Sequence, residues 1–113
     1  MSKYFKMTNK QLIKEILNVV DDEIYGLNKD DMDYATVHQS WTGGVSSFDP
    51  FNNDNHILPI IIRHEISILF VDGKWDASVD YNDDVIVVCS DNYRLAAAAC
   101  FLELMEAQNG QNN

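Results

Sequence analysis

The sequence predicts an α+β fold in which three helices pack on one face of a mainly antiparallel sheet of about four strands, in the order α-β-α-β-β-β-α. Three observations carry that expectation. Leu12, Ile16 and Val20 recur every four residues near the start, apolar and polar residues alternate beside Asp72-Gly73, and an alanine run from Ala96 to Ala99 lies near the end. A period near four marks a helix with one buried face, and a period of two marks a strand with one.

The first helix is expected from about Thr8 to Tyr25, with Ile13, Leu17 and Ile24 widening its apolar face and Gly26 supplying a stop. Thr8 and Gln11 have the spacing of a capping box, in which each side chain satisfies a free backbone N–H. Lys10 and Lys14 sit towards the positive end of the helix dipole, and Asp21, Asp22 and Glu23 would sit at the negative end. Each such placement costs roughly 0.3–1 kcal/mol where exposed. Local rules broken in this way point to function, unless lysines elsewhere in the fold neutralise the acids.

Residues 28–33 read as a polar connector. Asp30, Asp31 and Asp33 invite a calcium loop, but the position where its closing glutamate belongs is Trp41 and the central glycine is missing. Tyr34 to Gln39 has the content of a short strand, broken by Thr42-Gly43-Gly44. Phe48 to Asn55 reads as a loop that ends in a cap (Asn53, Asp54 or Asn55) for a helix from about Ile57 to His64. Pro59 requires an irregular first turn or a later start. Ile60, Ile61 and Ile62 are apolar all round, which implies deep burial.

Asp72-Gly73 is a two-residue hairpin signal of type I′. It sets Val71 opposite Lys74, Phe70 opposite Trp75, Ile68 opposite Ala77 and Ile66 opposite Val79. One face is then apolar, with Trp75, Ala77, Val79 and Tyr81, and the other carries Ser67, Asp76, Ser78 and Asp80. Asn82-Asp83-Asp84 turns the chain into Val85–Cys89, a continuous apolar run suited to a central strand. The last helix is expected from a Ser90 or Asp91 cap to about Ala107, with Leu95, Phe101, Leu102 and Met105 as its bulky packing and a frayed tail from about residue 108.

With 113 residues the chain reads as one domain, 1–113, and 46% hydrophobic content is enough for a core. No apolar run approaches the roughly 18 residues that cross a bilayer, and Met1 to Lys6 lacks the pattern of a secretory leader. Cys89 and Cys100 have no metal or redox spacing and fall in apolar surroundings, as small buried hydrophobes do. A reduced, soluble, cytoplasmic protein is expected.

Charge is the least ordinary property. Eighteen acidic residues against eight basic ones give a net charge of -10. Lys3, Lys6, Lys10 and Lys14 hold half of the positive charge, so residues 15–113 carry four basic groups and eighteen acidic ones, a net of -14. Such a surface disfavours direct contact with nucleic-acid phosphates and favours a basic or nucleic-acid-binding protein partner. The plain alternative is that acidity keeps a small protein soluble.

No chemistry of covalent change stands out. His56 and His64 are too far apart for a helical metal pair. No Gly-x-Ser-x-Gly elbow is present, and Gly43-Gly44 lacks the lysine of a phosphate loop. Neither a catalytic residue, a metal site nor a cofactor is assigned.

Three segments carry a family resemblance. They are the opening helix from Thr8 to Leu17, Phe48-Asp49-Pro50-Phe51-Asn52-Asn53 running into the isoleucine-rich helix and Ile66-Ser67-Ile68, and Asn92-Tyr93-Arg94-Leu95-Ala96-Ala97. Together the sequence resembles the NinX-like family of small phage and prophage proteins, a family without an established biochemical activity. Phe51 stands where relatives have a cysteine in an Asp-Pro-Cys-Asn sequence, which weakens the idea of an essential loop thiol. The resemblance implies a phage-encoded accessory protein at work in the bacterial cytoplasm.

Two functions follow. In the first, a non-enzymatic acidic protein binds and inhibits a host defence or DNA-handling factor, even as a nucleic-acid mimic of the anti-CRISPR kind. Its candidate surface is Asp21, Asp22, Glu23, Asp30, Asp31, Asp33, Asp76, Asp80, Asp83 and Asp84. In the second, a small ligand-binding or hydrolase domain uses the 41–55 loop, where Trp41, Phe48, Asp49 and Asn52 line a pocket. The same loop also fits a purely structural role, with asparagines making turns and aromatics plugging the core.

Overall fold

The computed structural model describes residues 2–20, 27–28, 36–39 and 44–110. Among these the elements are a short 3-10 helix (Lys3–Lys6), α1 (Asn9–Val19), β1 (Leu27–Asn28), β2 (Thr36–Gln39), β3 (Gly44–Ser47), α2 (Asp54–Arg63), β4 (Ser67–Val71), β5 (Lys74–Tyr81), β6 (Asp84–Ser90) and α3 (Tyr93–Gly110). The α+β class and three helices match expectation. The strand count and order differ, because the described strands form two antiparallel sheets of three, β1-β2-β3 and β4-β5-β6. Gly44 opens β3 and pairs with Gln39, although its sequence signal is that of a breaker.

The capping box of α1 forms. The Gln11 N–H donates to Thr8 Oγ1 at 3.1 Å and the Thr8 N–H donates to Gln11 Oε1 at 2.8 Å. Leu12, Ile16 and Leu17 are buried. The helix ends at Val19, and Val20 is already extended (φ −75°, ψ 145°). Asp21, Asp22 and Glu23, expected in the last turn of this helix, come after its end and lie outside the described residues.

The second helix starts earlier than expected. Asn53 caps it, its side-chain oxygen accepting the Asn55 N–H at 3.0 Å. Pro59 lies inside, where its missing N–H removes the bond to the Asn55 carbonyl; Asn55 is exposed, so water can serve that carbonyl instead. The expected burial all round does not hold. Ile57 and Ile60 are buried, Ile61 is half-buried, and Ile62 is 72% exposed. The helix ends in a Schellman turn, with Ile66 N–H on the Ile61 carbonyl at 2.9 Å and Glu65 N–H on the Ile62 carbonyl at 3.3 Å. Glu65 occupies the left-handed position (φ 55°) that glycine usually fills.

The β4–β5 hairpin has the expected register from Val71–Lys74 through Phe70–Trp75 to Ile68–Ala77. Both turn residues are left-handed, Asp72 at φ 52° and Gly73 at φ 82°, as type I′ requires. The last pair is Ser67–Ser78, so the buried Ile66 sits just ahead of the ladder. β6 departs from expectation. It pairs with β5 alone among the described strands, and is an edge strand with Val85 52% and Val87 58% exposed.

The helix α3 lies along β5 and β6, and α1, α2 and the 3-10 helix pack against it. Its run Ala96 to Leu102 is buried throughout, with Leu104. Four successive alanines let backbone and sheet approach closely, and Phe101 fills the space between. Asn92 caps the helix in place of Ser90 or Asp91, its side-chain oxygen accepting N–H groups of Arg94 (2.9 Å) and Leu95 (3.3 Å). The helix continues to Gly110, beyond the expected fraying point. Among the described residues no helix is long and apolar enough to cross a membrane.

Candidate functional site

Pleat alternation divides β5 between two environments. Ala77 and Val79 are buried under α3, with Trp75 and Tyr81 half-buried beside them, and the Tyr81 hydroxyl donates to the Ala107 carbonyl at 3.1 Å. Lys74, Asp76, Ser78 and Asp80 point to the opposite, outer face. The register then fixes their neighbours. Asp76 lies between Leu69 of β4 and Cys89 of β6, Ser78 between Ser67 and Val87, and Asp80 beside Val85.

The outer face is thus a row of polar residues on β5 flanked on both sides by exposed apolar ones. Leu69 is 62% exposed and Val71 39%, facing Val85 and Val87 across the strand. Asp83 and Asp84 add carboxylates at the β5–β6 turn, both exposed. Asp84 also accepts the Val85 N–H at 2.8 Å. The four carboxylates Asp76, Asp80, Asp83 and Asp84 belong to one hairpin, and Lys74 is the single cation on β5 or β6.

Of the sequence-predicted acidic surface, only those four residues can be placed. Asp21, Asp22, Glu23, Asp30, Asp31 and Asp33 lie outside the described residues. The aliphatic half of the face was missed by sequence reasoning. Its signal was present in the hairpin register, which sets Leu69 directly opposite Asp76.

Cys89 shares this face, correcting the expectation that both thiols are buried. It is exposed, and Asp76 beside it pushes its pKa up, mainly by accepting a hydrogen bond from the thiol. Cys100 is buried, and desolvation pushes its pKa up to about 12. Neither is held as a reactive thiolate.

The alternative site is differently built. Trp41 lies outside the described residues. Phe48, Pro50 and Phe51 are buried, and Phe48 stacks on the buried His56 ring at 5.9 Å between centroids. The Asp49 N–H donates to His56 Nδ1 at 2.9 Å, so that nitrogen carries no proton. Burial also holds the His56 pKa below its ordinary 6.5, against a weaker opposing pull from Asp49. Asn52 donates to both Asp49 carboxylate oxygens, at 3.1 and 3.3 Å. These contacts shape the loop around its own groups. Among the described residues no cluster of three or more His, Cys, Asp or Glu side chains is placed to hold a metal ion.

Two further clusters tie elements together. Tyr93 and Arg94 both donate to Asp54 Oδ1, joining the starts of α2 and α3. Lys3 and Tyr4 both donate to Glu106 while Ser2 donates to Glu103, fastening the 3-10 helix onto α3. Hydrogen bonding in these clusters raises the pKa of Lys3 and Arg94 and lowers that of Glu106 and Asp54.

Comparison with known proteins finds no family model that matches this chain, no similar curated protein and no similar solved structure.

Proposed function

We propose that this chain is a non-enzymatic interaction protein whose outer β4–β6 face docks onto a basic protein partner. The observation that carries the reading is the interleaving of exposed aliphatic residues (Leu69, Val71, Val85 and Val87) with Asp76 and Asp80 on one open sheet face. Exposed aliphatics grouped in this way mark contact surfaces. The carboxylates would select a partner of opposite charge and speed encounter.

The resemblance to NinX-like phage proteins supplies the setting: a phage or prophage accessory protein, acting in the bacterial cytoplasm on a host defence or DNA-handling factor. Imitation of nucleic acid, as in an anti-CRISPR protein, is the finer form of the same reading. Asp76 and Asp80 are four residues apart on one strand, about 13 Å, with Ser78 between them. That spacing with aliphatic neighbours supports a mixed polar and apolar contact more than a continuous phosphate row. The second reading, a ligand-binding or hydrolase pocket at residues 41–55, is supported less. Phe48 is committed to the core, and Asp49 accepts from Asn52 through its carboxylate and donates to His56 through its backbone N–H.

The test is affinity capture from host extract at low and high salt. The wild type is compared with Asp76→Asn/Asp80→Asn and with Leu69→Ser/Val87→Ser. The reading expects a basic, nucleic-acid-binding protein that is held at low salt, released at high salt and weakened by both double substitutions. Retention of a small molecule with no protein partner would replace this reading with the pocket.

A further inference from the structure

Among the described strands β6 pairs with β5 alone, so it forms an edge of its sheet. Its Val85 N–H turns to the Asp84 carboxylate rather than to β5. Hydrogen-bonding direction alternates along an antiparallel strand, so the backbone groups of Val87 and Cys89 also point off the edge. Edge strands are normally guarded by lysine, proline or a bulge. From Val85 to Cys89 this one has only Val, Ile, Val, Val and Cys, and its register with β5 is unbroken. A groove of about 580 Å³ runs under the same edge, lined by Phe5, Ile86, Val88 and Glu103 among others.

We propose that two copies of this chain pair β6 against β6, antiparallel about a twofold axis at Val87, joining two three-stranded sheets into one of six. Val87 is the midpoint of the strand Asp84–Ser90, so this register spans its whole length, with the Val85 N–H exchanging the Asp84 carboxylate for the Cys89 carbonyl of the second copy. It sets Val87 against Val87, Val85 against Cys89 and Ile86 against Val88. Every central pair on either face is then apolar with apolar, which is the self-complementarity that a twofold interface needs. A basic partner finds no carboxylate along this stretch of strand. The acids lie at the ends, where Asp83 approaches Asp91 of the second copy. Salt screens that repulsion, so the dimer strengthens with ionic strength, whereas the acidic-face complex of the previous section weakens. The two readings therefore fail separately.

The decisive variant is Val85→Cys. Residues 85 and 89 of one chain are about 13 Å apart along the strand and cannot join. Across the twofold, residue 85 and the native Cys89 of the second copy would lie about 5.5 Å apart between Cα atoms, within disulfide range. Under mild oxidation Val85→Cys should form a covalent dimer, while the wild type and Val85→Cys/Cys89→Ser should not. Sedimentation of the wild type should show mass rising with concentration from 12.9 kDa towards twice that, more steeply in high salt. Val87→Lys, at a site already 58% exposed, should keep the circular dichroism spectrum and remain at one chain's mass. A wild type that stays monomeric at every concentration, or cross-linking that is equal in Val85→Cys/Cys89→Ser, overturns the proposal.

Discussion

At the residue scale, His56 shows how one side chain can be structural where its type suggests chemistry. Its Nδ1 must be unprotonated to accept the Asp49 N–H, and its ring stacks on Phe48 inside the core. Protonation would break the first contact and place a charge among apolar groups. Its folded pKa lies below the ordinary 6.5, so the unfolded chain takes up the proton first as pH falls. Its contribution is then complete above about pH 6.5 and is lost as pH falls through the folded value. Denaturant midpoints measured from pH 7.5 to 5 should therefore fall more steeply for the wild type than for His56→Gln, which starts lower but loses less. Phe101 makes a simpler case. It is fully buried between α3 and its neighbours, so Phe101→Ala should cost about 3–5 kcal/mol, read from urea unfolding.

At the element scale, what was legible in the sequence is what local chemistry decides. The Thr8–Gln11 box and the Asp72-Gly73 turn each act over a few residues, and both formed as read. Helix ends depended on choices between neighbouring candidates. Asn92 rather than Asp91 caps α3, and Asn53 starts α2 ahead of Pro59. The run Val85–Cys89 has no periodicity, so its sequence cannot distinguish a central strand from an edge strand; tertiary arrangement made it an edge. Likewise β1 is two residues long, too short to carry a pattern. Among the candidate site residues, the acids of β5 were legible from alternation and the places of Leu69 and Val71 beside them from the hairpin register, but the exposure of Val85 and Val87 was not. The Schellman turn offers a direct check. Glu65 holds a left-handed conformation that favours glycine, so Glu65→Gly should raise stability by about 1 kcal/mol, seen as a higher melting temperature. Thr8→Ala should lower stability by about 1 kcal/mol in the same assay, through loss of the cap.

At the scale of the whole molecule, the two faces of the β4–β6 sheet divide the work. The inner face, with α3 against it, holds the fold together through Ala77, Val79, Val88 and the alanine run. The outer face contributes little to that core and presents aliphatic and acidic groups together. On the proposed reading, a net charge of -10 extends the attraction for a basic partner over longer range at low ionic strength. The measurement that tests this most directly is the dissociation constant of the captured partner for wild type and for Asp76→Asn/Asp80→Asn, titrated at about 50 and 500 mM salt. The account predicts tighter binding at low salt, and a smaller salt dependence once the two carboxylates are neutralised. Equal affinity of both proteins at both salts would contradict it.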